Sequence, residues 1–334
     1  MFSTIGTVEF KVPCLSAPAT TWYQAFGGNW KAPDTVPLII LHGGPGACHD
    51  YVLPHTDLAR PDRPVIFYDQ IGCGRSSHFP ERAGDDSFWT VDLFIRELNN
   101  LLAYLGLQDR PIDVLGHSWG GMLAAVWAAT SEESGNLRRL VISSSLASMD
   151  LWRQSVEAFK KQLPRDVQRV LDKGERELNF TSPEYQAAID LFFQRHLSLA
   201  RPWPPREAQA ALDCFAKDPT TVNTMYVVLS TTCPRKSANM LLTDPDLTSR
   251  YGPSELHISG SLRNWTVIPD LHKIKVPTLL LNGKVDMAQD AVVQPFFDNL
   301  DKVKWATLER AGHLAYVDQR KRYMQLVDEF LGSE

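Results

Sequence analysis

The chain has 334 residues, a formal net charge of −5 and no basic block, which argues against nucleic acid and anionic membrane as partners. At 44% hydrophobic and 22% charged it reads as a globular protein, either one large domain or a core with a sizeable insertion. No apolar stretch approaches the roughly 18 residues that span a bilayer. Residues 1–13 lack the pattern of a signal peptide, and five scattered cysteines without Cys-x-x-Cys suit reduced thiols, so a cytoplasmic protein is expected.

Taken in order, residues 2–14 and 21–25 read as early strands, broken by Pro13 and by Gly27-Gly28. Residues 37–41 are a short Leu/Ile run, suited to a strand buried on both faces. It leads into His42-Gly-Gly-Pro-Gly46. A second such run, 65–68, leads into Asp69-Gln-Ile-Gly-Cys-Gly-Arg-Ser76. The apolar spacing of Val91, Phe94, Ile95, Leu98, Leu101, Leu102 and Leu105 predicts an amphipathic helix over 88–105. Strands follow at 112–115 and 140–142, with a helix over 122–129 between them. This is the alternation of a parallel α/β sheet.

From 147 to 269 no buried strand is evident. Residues 151–163, 166–171, 183–196 and 207–215 read as helices, the third opened by Ser182-Pro183 as cap and first turn. This stretch is read as a helical lid (147–269) inserted into a core formed by 1–146 and 270–334. Sheet character returns at 276–281 and 304–308, with helices at 291–299 and 319–331.

Between the strand at 112–115 and the helix after it stands Gly116-His-Ser-Trp-Gly120. Gly-x-Ser-x-Gly in a strand–turn–helix context is the nucleophile-elbow pattern, in which a tight turn exposes the serine oxygen near free backbone N–H groups. A serine hydroxyl needs a base, and the base an orienting carboxylate. In α/β-hydrolases these follow in the order serine, acid, histidine at strand ends. Asp286 follows the strand 279–281 and His313 the strand ending at Leu308, so Ser118, Asp286 and His313 are the candidate triad. The backbone N–H groups of Gly44 and Trp119 are the candidate oxyanion hole, and the sharp bend required there predicts a cis Gly44–Pro45 peptide. Gly72-x-Gly74 lacks the third glycine of a dinucleotide fingerprint, and Gly283-Lys284 is not followed by Ser or Thr. Asp69, Gly72, Gly74 and Arg75 are read as scaffold behind the oxyanion loop. No metal-ligand pattern is found among the nine histidines, and no cofactor is called for.

Together these segments resemble the prolyl-aminopeptidase (proline iminopeptidase) family of α/β-hydrolases, and most of all the branch holding the archaeal tricorn-interacting aminopeptidase and the L-amino acid amidases. The likeness is carried by His42-Gly-Gly-Pro-Gly-Ala-Cys-His-Asp-Tyr51, Tyr68-Asp-Gln-Ile-Gly-Cys-Gly-Arg-Ser76, Gly116-His-Ser-Trp-Gly-Gly121, Gly252-Pro-Ser-Glu255, and the stretch from Trp265 through Asp286 to His313. It implies an α/β-hydrolase fold with a mostly parallel sheet and an inserted helical lid, the triad named above, and a small-molecule or short peptide substrate. It also implies acidic residues that hold the substrate's amino group. One is Glu255. The other family position, directly after the triad aspartate, is Met287 here, which makes that side of the pocket more apolar.

The expected activity is hydrolysis of an amide or peptide bond after a small N-terminal aminoacyl group, through an acyl-enzyme. The alternative within enzymes is an esterase or amide hydrolase acting on a neutral small molecule. The alternative outside hydrolysis is a ligand receptor or cyclase on the same fold, which labelling of Ser118 by a fluorophosphonate separates from a hydrolase.

Overall fold

A computed structural model describes residues 3–226 and 258–333. Its centre is one eight-stranded sheet in the order β1-β2-β4-β3-β5-β6-β7-β8. The strands are β1 (Ser3–Phe10), β2 (Ala19–Phe26), β3 (Leu38–Leu41), β4 (Val65–Asp69), β5 (Ile112–His117), β6 (Leu137–Ser143), β7 (Thr278–Gly283) and β8 (Val303–Leu308). β2 pairs antiparallel with both β1 and β4, and every pairing from β4 through β8 is parallel. Each residue of β3 is buried, as are those of β4, β5 and β7, because helices cover both faces of the parallel part. This is the α/β-hydrolase sheet the sequence implied.

Local chemistry sets the helix ends. Helix α1 spans Val91–Leu105, three residues shorter at its start than its periodicity suggested, because the Thr90 side chain accepts from Leu93 N–H and caps it there. Gly106, at φ 71, ends it in the left-handed conformation that a side chain would resist. The buried face of α1 holds one residue that apolar spacing could not reveal. Glu97 is fully buried and accepts from Thr21 Oγ1 at 2.6 Å and from Ile71 N–H at 3.0 Å. Burial pushes its carboxyl up to about 8, so it carries its proton at neutral pH. Helix α2 spans Trp119–Thr130. It is apolar nearly all round and almost wholly buried against β5 and β6.

Between β6 and β7 the described residues form helices α3 (Met149–Lys160), α4 (Arg165–Glu177), α5 (Pro183–His196), α6 (Arg206–Lys217) and α7 (Thr220–Met225). The short, threonine-rich α7 has no apolar periodicity and left no signal in the sequence. The chain closes with α8 (Asp290–Asn299), α9 (Ala315–Asp318) and α10 (Arg320–Gly332). Among the described residues no helix is long and apolar enough to cross a membrane.

Polar contacts tie the inserted helices to the loops above the sheet. Gly84 N–H donates to Thr224 Oγ1 at 2.8 Å, and His78 Nδ1 meets Asp218 Oδ2 at 2.5 Å. The hydrogen bond to Asp218 raises the pKa of His78, against burial and the charge of Lys217. Burial opposes ionisation of Asp218, yet the bond from His78 leaves its carboxyl below the usual range. A histidine with a raised folded-state pKa contributes its full stabilisation below its unfolded value of about 6.5, and that contribution is lost as pH rises through the folded value. The aspartate's contribution is lost at the acid end, as pH falls through its lowered value. The melting temperature should therefore drop more between about pH 6 and about pH 8.5 in wild type than in His78→Gln. Equal drops in the two proteins would remove the pair from any role in holding these helices.

Candidate active site

The chain turns from β5 into α2 through Ser118, held at φ 55 and ψ −122, a region costly for any residue with a side chain. Its N–H donates to Ser143 O at 2.9 Å, and its carbonyl accepts from Ser145 Oγ at 2.8 Å and Gly121 N–H at 2.9 Å. Those bonds hold the strained turn. They also explain its flanking glycines. A Cβ at Gly116 would lie 2.2 Å from Gly120 O, and one at Gly120 would lie 2.0 Å from Leu41 O. The serine oxygen thus emerges where α2 begins and its first N–H groups have no helical acceptor.

The loop after β3 reaches the same region. Gly44 has φ +113, and the Gly44–Pro45 peptide is cis. Among the described residues neither Gly44 N–H nor Trp119 N–H is taken by a protein acceptor. The residue before this loop, His42, is buried. Its Nε2 accepts from Gln70 N–H at 3.0 Å, so its proton sits on Nδ1, which donates to Gly43 O at 2.9 Å. Burial pulls its pKa down to about 4, consistent with a neutral ring. Gln70 spans both loops: its Nε2 donates to His42 O at 3.0 Å, and its Oε1 accepts from Trp119 Nε1 at 2.8 Å.

Asp286 and His313, which stand 27 positions apart, meet through Oδ1 and Nδ1 at 2.7 Å, both buried. Asp286 Oδ1 also accepts from Ala288 N–H at 2.8 Å, which fixes the carboxylate's orientation. The ring of His313 lies 5.0 Å from that of His117, the residue before the nucleophile candidate, and 5.7 Å from that of Trp152 on α3. Among the described residues Ser118 Oγ makes no hydrogen bond to His313. Such bonds are often long without substrate and tighten in the complex. Met287 is fully buried, and its carbonyl accepts from Ser155 Oγ of α3. Glu255 lies outside the described residues.

The inserted helices hold the His313 loop from above. At the end of α5, the carbonyls of His196 and Leu197 accept from His313 N–H and Leu314 N–H, each at 2.8 Å. His196 Nδ1 also donates to Val285 O at 2.9 Å, beside Asp286. Asp318 accepts from Ser198 Oγ at 2.5 Å, Leu199 N–H at 3.0 Å and Gly312 N–H at 2.8 Å. Sequence reasoning missed His196 and Trp152, which stand in helices with no local motif. Gln70, Tyr51 and His117 stood inside the quoted motifs, but only the fold shows what each one touches.

His42, Asp69 and Cys73 present potential metal-ligand atoms within 4.8 Å of one another. Each has a protein partner instead. His42 Nε2 accepts from Gln70 N–H, and Cys73 Sγ donates to Gln70 O at 3.2 Å. Asp69 accepts from His49 N–H at 2.7 Å through Oδ1 and from Arg75 N–H at 2.9 Å through Oδ2. A Cβ at Gly74, φ +60, would lie 2.2 Å from Asp69 Oδ2. The segment after β4 is thus a polar buttress against the turn after β3.

Known proteins are similar to this chain over nearly its whole length. A family model described as the alpha/beta hydrolase fold matches residues 36–319. The proline iminopeptidase of Lactobacillus helveticus is 30% identical over 326 residues, 97% of each chain. Among solved structures, the crystal structure of VinJ matches with a TM-score of 0.84 at 36% identity, covering 98% of each chain. That of the proline iminopeptidase of Mycobacterium smegmatis matches with a TM-score of 0.80 at 32% identity, covering 98% of this chain and 97% of the other. Likeness at this level takes in the inserted helices as well as the sheet, and the chain belongs to the proline iminopeptidase family of α/β-hydrolases.

Proposed function

We propose that the protein is a serine hydrolase that cleaves the amide or peptide bond after a small N-terminal aminoacyl group, through an acyl-enzyme on Ser118. The observation that carries this reading is the buried 2.7 Å bond between His313 and Asp286 on the loops beside the Ser118 elbow. Asp286 accepts from Nδ1 of His313, which leaves Nε2 free of its proton and basic. His313 then takes the proton of Ser118 Oγ as that oxygen attacks the carbonyl. The N–H groups of Gly44 and Trp119 receive the oxyanion, and His313 passes the proton to the departing amine. Water repeats the sequence on the acyl group. The names of the relatives support an N-terminal residue, proline among them, as the acyl part. Glu255 is the carboxylate proposed to receive the substrate's ammonium.

A second reading has one observation in its favour. Met287, next to Asp286, is fully buried and carries no charge. A pocket with an apolar residue there suits a neutral or N-blocked substrate better than a pocket with paired carboxylates.

The test is a comparison of kcat/KM for matched free and N-acetylated aminoacyl anilides. The free-amine substrate is expected to be favoured by about tenfold or more, and Met287→Glu should widen that ratio by about tenfold again. A wild-type preference for the acetylated partner would replace the aminopeptidase reading with the neutral-substrate one.

A further inference from the structure

Three segments that carry the proposed reaction come from distant parts of the chain: the turn after β3, the elbow after β5 and the loop after β8. Two buried side chains join them. Gly43 N–H lies 2.6 Å from the Tyr51 hydroxyl, the Tyr51 hydroxyl 2.8 Å from His117 Nδ1, and His117 Nε2 2.9 Å from the backbone oxygen of His313. The direction of the chain follows from its end. A carbonyl only accepts, so His117 Nε2 carries the proton and Nδ1 is the acceptor. Tyr51 therefore donates to His117 and accepts from Gly43. Tyr51 is 3% exposed, His117 1% and His313 4%, so water does not compete for these bonds. Burial also holds the pKa of His117 well below the usual histidine range, which keeps its ring in the neutral form the relay needs.

We infer that Tyr51 and His117 are positioning residues that hold the oxyanion turn, the nucleophile elbow and the His313 loop in one register. The inference rests on the roles proposed for Ser118, His313 and Gly44. Gly43 precedes a proposed oxyanion donor, His117 precedes the proposed nucleophile, and the last bond lands on the main chain of the proposed base. One relay thus fixes the three groups whose mutual distances the reaction depends on. A displacement of about 1 Å among such groups costs about 100-fold in rate. Breaking a link in a buried chain also leaves its neighbours without partners. A purely structural role would make a different prediction, namely lower stability with unchanged chemistry in the molecules that remain folded.

Tyr51→Phe removes two links while keeping the ring and is the variant that tests the relay even where others fold poorly. His117→Leu removes both ring nitrogens, whereas His117→Gln retains one acceptor and one donor. For each, kcat, KM, the rate of Ser118 labelling by a fluorophosphonate and the melting temperature are measured. In Tyr51→Phe and His117→Leu, kcat and the labelling rate are expected to fall together by about 10- to 100-fold, with KM changed less than about twofold. His117→Gln is expected to recover a substantial part of both. Labelling and kcat within about twofold of wild type in Tyr51→Phe would overturn the inference, as would equal losses in the Gln and Leu variants. If wild-type Ser118 is itself not labelled, the proposed mechanism falls and the relay with it.

Discussion

Ser118→Ala is expected to lower kcat by about four to six orders of magnitude, with circular dichroism and melting temperature close to wild type. The substitution removes one oxygen from a residue whose main chain makes the stabilising bonds of the turn: N–H to Ser143, carbonyl to Ser145 and Gly121. Alanine meets the same backbone strain as serine at φ 55, so the elbow has no new reason to collapse. Binding should survive because the proposed oxyanion donors belong to the backbone. Residual catalysis of about a thousandfold over water would come from them and from substrate orientation. The measurement is kcat on the preferred anilide in a preparation free of contaminating peptidase. Activity above about one per cent of wild type would take Ser118 out of the mechanism.

Asp286→Asn is expected to cost about ten-thousandfold in kcat while leaving the local geometry nearly intact. The carboxylate now accepts from His313 Nδ1 at 2.7 Å and so dictates which nitrogen holds the proton. An amide whose oxygen stays on Ala288 N–H still accepts from Nδ1 but brings no charge to stabilise the imidazolium; turned the other way, its NH₂ faces both Nδ1 and Ala288 N–H. In that second orientation the ring proton moves to Nε2, the atom that the proposed mechanism needs bare to deprotonate Ser118. The bond between His117 and the His313 carbonyl is untouched, so the loop stays in place in either orientation. Nitrogen-15 shifts of the His313 ring would tell the two orientations apart. A variant retaining a tenth of wild-type kcat would show that Asp286 does not orient the base.

How much of this was visible in the residues themselves depends on how locally each feature is encoded. The apolar runs that form β3, β4 and β7 are bounded by glycine, proline and polar residues and left little choice of assignment. The elbow was legible because its glycines answer to backbone atoms only a few ångströms away. Asp286 and His313 could be picked out because each follows a strand of the same sheet, and parallel strands deliver their C-terminal ends to one edge. Side-chain bonds between distant segments leave no such trace. Nothing in the sequence around His117 says that its ring will bond Tyr51, 66 positions earlier, or His313, 196 positions later. The same holds for His78 with Asp218 and for His196 with Val285. Glu97 carries no local mark of its burial, because its partners, Thr21 and Ile71, belong to other elements.

The hold of residues 196–200 on the loops of Asp286 and His313 bears on modularity. Segments inserted after the sixth strand of a shared sheet are an obvious unit to exchange between relatives when a new specificity is wanted. In this protein the unit has a seam through it. The carbonyls of His196 and Leu197 complete the hydrogen bonding of the His313 loop, and Asp318 gathers Ser198, Leu199 and Gly312 into the same joint. A chimera that replaced the whole insertion would import a foreign joint and displace His313, the proposed base, losing turnover for reasons unrelated to substrate fit. Grafts cut to leave residues 196–200 with the recipient sheet would exchange the other inserted helices and leave that joint in place.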